Sequence, residues 1–202
     1  DHGALLDPPT SDVSARCLSF LKQLNDPRDT LVINNALEYL LSEQEKDGSW
    51  FGRWGTNYIY GTWSVLCAIN LATFPAKQKV VEKAAEYIKS TQRQDGGWGE
   101  DGKTYFNNVR NFAKKSTPSQ TSWALMGLLA AGQIDCIEAK KGIEYLLKSN
   151  NLNWEEKYFT AVGFPKVFYL KYHGYSKYFP LLAISKIRNQ LDLNSKKPLY
   201  GV

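Results

Sequence analysis

The residues best suited to chemistry lie between Gly48 and Trp63, where Trp50, Phe51, Trp54, Tyr58, Tyr60 and Trp63 alternate with Gly48, Gly52, Gly55 and Gly61 around a single charge, Arg53. Glycine lets the backbone turn tightly and approach other groups, and the rings supply rigid apolar surface whose faces carry negative quadrupole charge. Such a face attracts a nearby cation by about 0.5 to 2 kcal/mol without trapping it as a nucleophile would. Packing of the same rings around a tight loop is the plain alternative. A second aromatic stretch runs from Phe159 to Phe179, where Gly163-Phe164-Pro165 is followed by Phe168, Tyr169, Leu170, Tyr172, Tyr175, Tyr178 and Phe179.

Other chemistry is poorly supported. His2 and His173 have no ligand at short spacing, so neither a metal nor a cofactor is expected. Cys17, Cys67 and Cys136 lie far apart, without a C-x-x-C pair, and read as reduced, buried small hydrophobes. Two acidic groups, Glu43/Glu45/Asp47 and Glu100/Asp101, stand beside turns and read as surface features.

The elements that position the first loop repeat along the chain. Tyr39 and Gln44 precede Asp47-Gly48-Ser49-Trp50, and Tyr87 and Gln92 precede Asp95-Gly96-Gly97-Trp98, the two Trp being 48 residues apart. A third copy starts at Tyr145 and reaches Trp154 two residues early, with Asn150 in place of Gln and no Asp-Gly. A period of this length signals one supersecondary unit stacked on its neighbours. Each unit reads as a helix ending near Gln, a turn at Asp-Gly and a Trp folded back over the helix end. The Gln amide is expected to satisfy the carbonyls left open there.

Apolar periodicity predicts helices after Ser11 and Asp29, over Thr62–Leu71, Lys77–Thr91, Ser119–Ala131 behind Pro118, Cys136–Ser149 and Leu181–Gln190. No segment shows sustained strand alternation. The 202 residues, 43% hydrophobic and 22% charged, suit one domain with a sizeable core. No apolar run reaches the roughly 18 to 20 residues of a membrane span, and no signal peptide is expected. Residues 139–202 carry 11 basic and 4 acidic side chains, against 14 and 16 in residues 1–138. This basic part suits contact with an anionic membrane face. Its lysines are dispersed without a recognised motif, so nucleic acid is not expected as a partner.

The Gln-to-Trp spacing is that of the QW repeats. With Gly48-Ser-Trp-Phe-Gly-Arg-Trp-Gly55 and Ser116-Thr-Pro-Ser-Gln-Thr-Ser-Trp123, the chain resembles squalene-hopene cyclase and its triterpene-cyclase relatives, over the C-terminal portion of their longer polypeptide. The resemblance implies an all-α fold, an incomplete α/α toroid of helical hairpins, with residues 1–202 forming one C-terminal barrel portion. The implied chemistry is acid-initiated polycyclisation of a linear polyene, in which rings stabilise the migrating cation and a dry site delays quenching. On that basis Trp54, Phe164 and Phe168 fall on cation-stabilising positions. Leu170, Tyr172 and Tyr175 line the substrate cavity, and Tyr60 belongs to the hydrogen-bonded shell of the acid. The acid itself sits in an Asp-x-Asp-Asp string absent from this sequence, so the chain alone is expected to be inactive. Implied partners are a polyene hydrocarbon, the remainder of the full-length chain and a membrane surface, with a homodimer left open. The implied location is monotopic, on the cytoplasmic face of the cell membrane.

Ala161, Val162 and Val167 depart from the family pattern around Phe164 and Phe168, which leaves squalene and tetraprenyl-curcumene, the substrate of a sporulenol-forming relative, both open. A glycosidase on an α/α toroid would need two carboxylates roughly 5 to 10 Å apart, and the aromatic loops hold almost no acid. A prenyltransferase-like toroid lacks its zinc ligands here. A non-catalytic helical binding module completes the alternatives.

Overall fold

The computed structural model describes residues 8–106, 110, 115–151 and 153–192. His2, and Lys196 and Lys197 of the basic C-terminal part, lie outside the described residues. Seven α-helices are present among the described residues: α1 (Ser11–Leu24), α2 (Thr30–Ser42), α3 (Tyr58–Asn70), α4 (Lys77–Ser90), α5 (Pro118–Ala130), α6 (Ile137–Asn150) and α7 (Tyr175–Leu191). They form two layers. In the inner one α1 packs on α3, α3 on α5 and α5 on α7, while α2, α4 and α6 lie outside on α1, α3 and α5. α3 and α5 are buried along almost their whole length, as helices apolar on every side must be. The outer helices bury one stripe each, such as Ala84, Ala85, Tyr87 and Ile88 of α4.

Each repeat closes its helix with the same bond. The indole N–H of Trp50 donates to the Leu40 carbonyl at 2.6 Å, that of Trp98 to Ile88 at 2.7 Å and that of Trp154 to Leu146 at 2.8 Å. In all three the acceptor is the residue after the repeat tyrosine, so the two-residue shortening of the third copy is absorbed in the loop. There Asn153 and Trp154 both take positive φ. The tryptophan, not the glutamine, therefore takes the helix-end carbonyl. Gln44 instead donates to Gly48 O and to Val80 O of α4, and Gln92 to Gly96 O and to Glu138 O of α6. Each glutamine thus pins its own turn to the next outer helix. Gly48 and Gly96, at φ +96° and +85°, sit so close to the Lys83 and Lys141 carbonyls that a β-carbon would clash. The outer units are also tied inward, because the backbone N–H of Trp50 and of Trp98 donates to Thr62 Oγ1 on α3 and Thr121 Oγ1 on α5, both at 3.0 Å.

Three expectations are corrected. A short antiparallel hairpin, β1 (Ala161–Phe164) with β2 (Phe168–Leu170), interrupts the otherwise helical chain, its strands too short to show alternation. α7 begins at Tyr175 and runs through Pro180, because Tyr175 and Phe179 pack edge-on against Trp123 and hold the turn that proline weakens. Cys67 is buried, but Cys17 is exposed and Cys136 partly so. On α1 the buried stripe is Ser11, Asp12, Ala15, Leu18 and Ser19, which turns Val13, Cys17, Phe20 and Leu24 outward.

Trp50→Phe removes the indole donor that serves the buried Leu40 carbonyl at the end of α2. We expect a loss of about 1 to 3 kcal/mol in chemical denaturation beyond that of Trp123→Phe. Trp123 is equally buried, but its Nε1 has no acceptor, so its substitution measures ring loss alone. Equal losses in the two variants would show that the helix-closing bond contributes nothing.

Candidate active site

The glycine-rich loop is rigid because remote groups consume its backbone. Asp12, 1% exposed, accepts from the N–H groups of Arg53 (2.9 Å) and Trp54 (2.7 Å) through Oδ2, while its Oδ1 accepts from Thr10 Oγ1 and Val13 N. On the other side Val162 N donates to Trp54 O, Thr56 N to Thr160 O, and Gly55 bridges to Ala161. Tyr105 Oη donates to the carbonyls of Gly52 (2.5 Å) and Gly55 (3.0 Å). Trp54 is held on both flanks, yet 39% of it stays exposed.

The first and second aromatic stretches meet at this point. Phe164 and Phe168 pack edge to face, their centroids 5.4 Å apart. The register slips between Val162 and Phe164, and a β-carbon on Gly163 would lie 1.9 Å from the Phe168 ring, so only glycine admits that ring. Phe168 and Leu170, two residues apart, share one side of β2 and are 43% and 38% exposed. Tyr169 turns the other way, toward Tyr105 and the Gly102 carbonyl. The Arg53 guanidinium lies 4.2 Å from the Trp54 ring and 5.4 Å from that of Phe164.

Tyr60, Tyr172 and Tyr175 belong to a neighbouring group. Tyr60 packs edge-on against Trp63 and Trp123, which stack in parallel 5.9 Å apart. Tyr175 touches Trp123 and, at 5.0 Å, Tyr172. The Tyr60 ring lies directly over Gly55, which joins this group to the loop bearing Trp54. Burial pushes the Tyr60 and Tyr175 phenols above their ordinary range, so both stay protonated and able to donate. Arg16 places its guanidinium 4.4 Å from Trp63 and 5.9 Å from Tyr60.

Trp50, Tyr58 and Trp63 of the first loop are core, as the plain reading had it, whereas Trp54 and Phe51 reach the surface. Glu100 is not a surface feature: it is 1% exposed. Its Oε2 accepts from Asn57 N (3.1 Å) and Ile59 N (2.8 Å), and its Oε1 from Tyr87 Oη (3.3 Å). The Asn57 side chain, which would ordinarily cap α3, is spent on Gly52 N and Thr104 Oγ1, and Glu100 takes over the open N–H groups. Glu156 does the same for Ser119 at the start of α5. Burial raises the carboxyls of both, that of Glu100 to about 7. Asp12, Arg16 and Arg53 were not singled out as site residues by sequence. Asp12 resembles an ordinary first-turn acid, and its partners lie some 40 residues away.

Helical hairpins in two layers, with aromatic loops gathered at their ends, define an α/α toroid of the terpene-cyclase type. The ent-copalyl diphosphate synthase from Streptomyces platensis shares this fold at a TM-score of 0.64 and 18% identity, over 89% of this chain and 33% of that one. The sequence profile of the squalene-hopene cyclase C-terminal domain matches residues 1–189. The chain is 49% identical to a squalene-hopene cyclase of Zymomonas mobilis, over 100% of its own length and 31% of the relative's. It is 56% identical to that of Schizosaccharomyces japonicus, over 94% and 29%. With the sporulenol synthase of Bacillus subtilis it shares 40%, over 94% and 30%. This chain belongs to the squalene-hopene cyclase family and corresponds to its C-terminal domain. It spans about a third of the length of these relatives.

Because Glu100 titrates near 7 when folded and near 4.5 when unfolded, the folded chain keeps a proton between those values that the unfolded chain has released. Its contribution to stability is therefore full below about pH 4.5, falls by up to about 3 kcal/mol as pH rises to 7, and is flat beyond. Denaturation midpoints followed across this window should fall more steeply in the wild type than in Glu100→Gln. Parallel profiles would show that the buried carboxyl is not responsible.

Proposed function

We propose that the chain is the C-terminal part of a polyprenyl cyclase in which Trp54, Phe164 and Phe168 stabilise cations formed during cyclisation, and Leu170, Tyr172 and Tyr175 shape the folded polyene. The observation that carries this reading is the meeting of Trp54, Phe164 and Phe168, rings from two remote loops, on a hydrogen-bonded frame that leaves them partly exposed. Rings buried only for packing would lie inside, as Trp50, Trp63, Trp98 and Trp123 do. An aromatic wall without a nucleophile prolongs the life of a cation. A glycosidase finds no support, because Asp12, Glu100 and Glu156 are buried and committed to loop and helix ends.

The acid and the rest of the barrel come, in this reading, from the remainder of a longer polypeptide, and the outward apolar stripe of α1 suits a further helix of that polypeptide. Tyr60, a neutral phenol beside Arg16, would orient the acid. Higher identity to the squalene-hopene cyclases than to the sporulenol synthase favours squalene over tetraprenyl-curcumene, and assaying both polyenes separates the two.

In the full-length protein, Phe168→Ala and Trp54→Ala should shift products toward incompletely cyclised polyenes with little change in melting temperature. Each 1.4 kcal/mol lost at a late transition state slows that step tenfold relative to premature deprotonation. Tyr60→Phe should slow initiation and leave the product ratio unchanged. Unchanged ratios for both alanine variants, with a fall in melting temperature reflecting roughly 3 to 5 kcal/mol of lost packing, would return these rings to the core.

We further propose a monotopic location on the cytoplasmic face of the cell membrane. No described helix is long and apolar enough to cross a membrane, while Leu31 and Val32 of α2 and Ile137 and Leu147 of α6 lie exposed on the outer layer. Apolar insertion should hold such a protein through high salt and release it to detergent. Recovery in the soluble fraction after a salt wash would contradict this.

A further inference from the structure

Arg53 is the one charge in the first aromatic loop, and its side chain is used in an unusual way. Only 9% of the residue is exposed. Its guanidinium lies 4.2 Å from the Trp54 ring and 5.4 Å from that of Phe164, and Nη1 donates to the Gly163 carbonyl at 2.9 Å. Its backbone N–H is fixed separately by Asp12. A planar guanidinium can stack on rings and donate in its plane at the same time, which a lysine ammonium cannot do. The carbonyl it reaches belongs to the same glycine whose missing side chain makes room for Phe168. One group thus ties together Trp54, Phe164 and the backbone that seats Phe168, across 110 residues of sequence.

The electrostatics point the same way. Each aromatic face attracts one cation, and the faces turned toward Arg53 are already taken. A second positive charge arriving on that side would meet a like charge and be repelled. Trp54 remains open elsewhere, at 39% exposure.

Resting on the cyclase reading above, we propose that Arg53 is a positioning residue of the cyclisation cavity. It clamps Trp54 of the first aromatic loop to Phe164 of the second and covers one face of each, so that a reacting cation meets only the opposite faces. Arg53 does not touch the reacting atoms. It decides where the rings stand and which side of them works.

The test uses the full-length protein with squalene and compares product ratio, as incompletely against fully cyclised polyene, with melting temperature. Arg53→Met keeps the length of the side chain without charge or donor, Arg53→Gln keeps a donor, and Arg53→Lys keeps the charge. We expect Arg53→Met to raise the ratio about two- to thirtyfold, the range spanned by a cation–ring interaction of ordinary strength. Arg53→Gln and Arg53→Lys should raise it less. Combined with Trp54→Ala, Arg53→Met should add less than its effect alone, because part of its action passes through that ring. A purely structural arginine would lower the yield of every product together. An unchanged ratio in Arg53→Met, a wild-type ratio in Arg53→Lys, full additivity with Trp54→Ala, or failure of all three variants to fold would each overturn the clamp. If Trp54→Ala itself leaves the ratio unchanged, the cavity reading fails instead. If Trp54→Ala shifts products and the Arg53 variants do not, only the present inference fails.

Discussion

Every outer hairpin in this chain is closed by one bond, from a tryptophan indole N–H to the carbonyl that follows the repeat tyrosine. A helix leaves its last carbonyls without partners, and the loss is largest where the helix end is buried. Trp50, Trp98 and Trp154 each supply a donor and cover the end with a large apolar ring. The bond outlasts a change of loop length, for the third copy contorts its backbone to keep it. With Gln44 and Gln92 reaching across to the next outer helix, the units lock in series before any loop is specified.

That frame allows the loops between hairpins to be made of glycine and rings. Loops of this composition have little propensity to hold a shape of their own, and the shape comes from outside. Asp12 takes two N–H groups at Arg53 and Trp54, Tyr105 bridges two carbonyls, and β1 lies along the far edge. The polar contacts sit behind the rings, and the exposed side is left to Trp54, Phe168 and Leu170. For the proposed cyclisation such a division would keep the rings firmly oriented and turn no lone pair toward a hydrocarbon.

The buried carboxylates show how strongly this frame depends on remote partners. Asp12, Glu100 and Glu156 each satisfy backbone N–H groups 37 to 43 residues away. In Glu100 the gain from two N–H groups at a helix start does not fully offset desolvation, and its carboxyl rises to about 7. A charge that is costly to bury is retained because the helix end has no other cap.

The sequence by itself determined the periodic part of the protein. Helix type follows from apolar spacing, the repeat from the Tyr-to-Trp interval, and the turn from Asp-Gly, all of which are local and survive without knowledge of the neighbours. The family strings around Trp54 and Trp123 placed the aromatic loops in one architecture. Tertiary structure alone decided which rings are wall and which are core, since Trp50 and Trp54 are chemically alike and differ only in what packs above them. It also moved Glu100 from a surface acid to a buried cap, turned the Val13–Cys17–Phe20–Leu24 stripe of α1 outward, and gave Arg53 two rings and a carbonyl. These outcomes depend on contacts across 40 to 110 residues. Spacing along a chain encodes the face of a helix, but the partner that face meets is fixed only when distant segments close on one another.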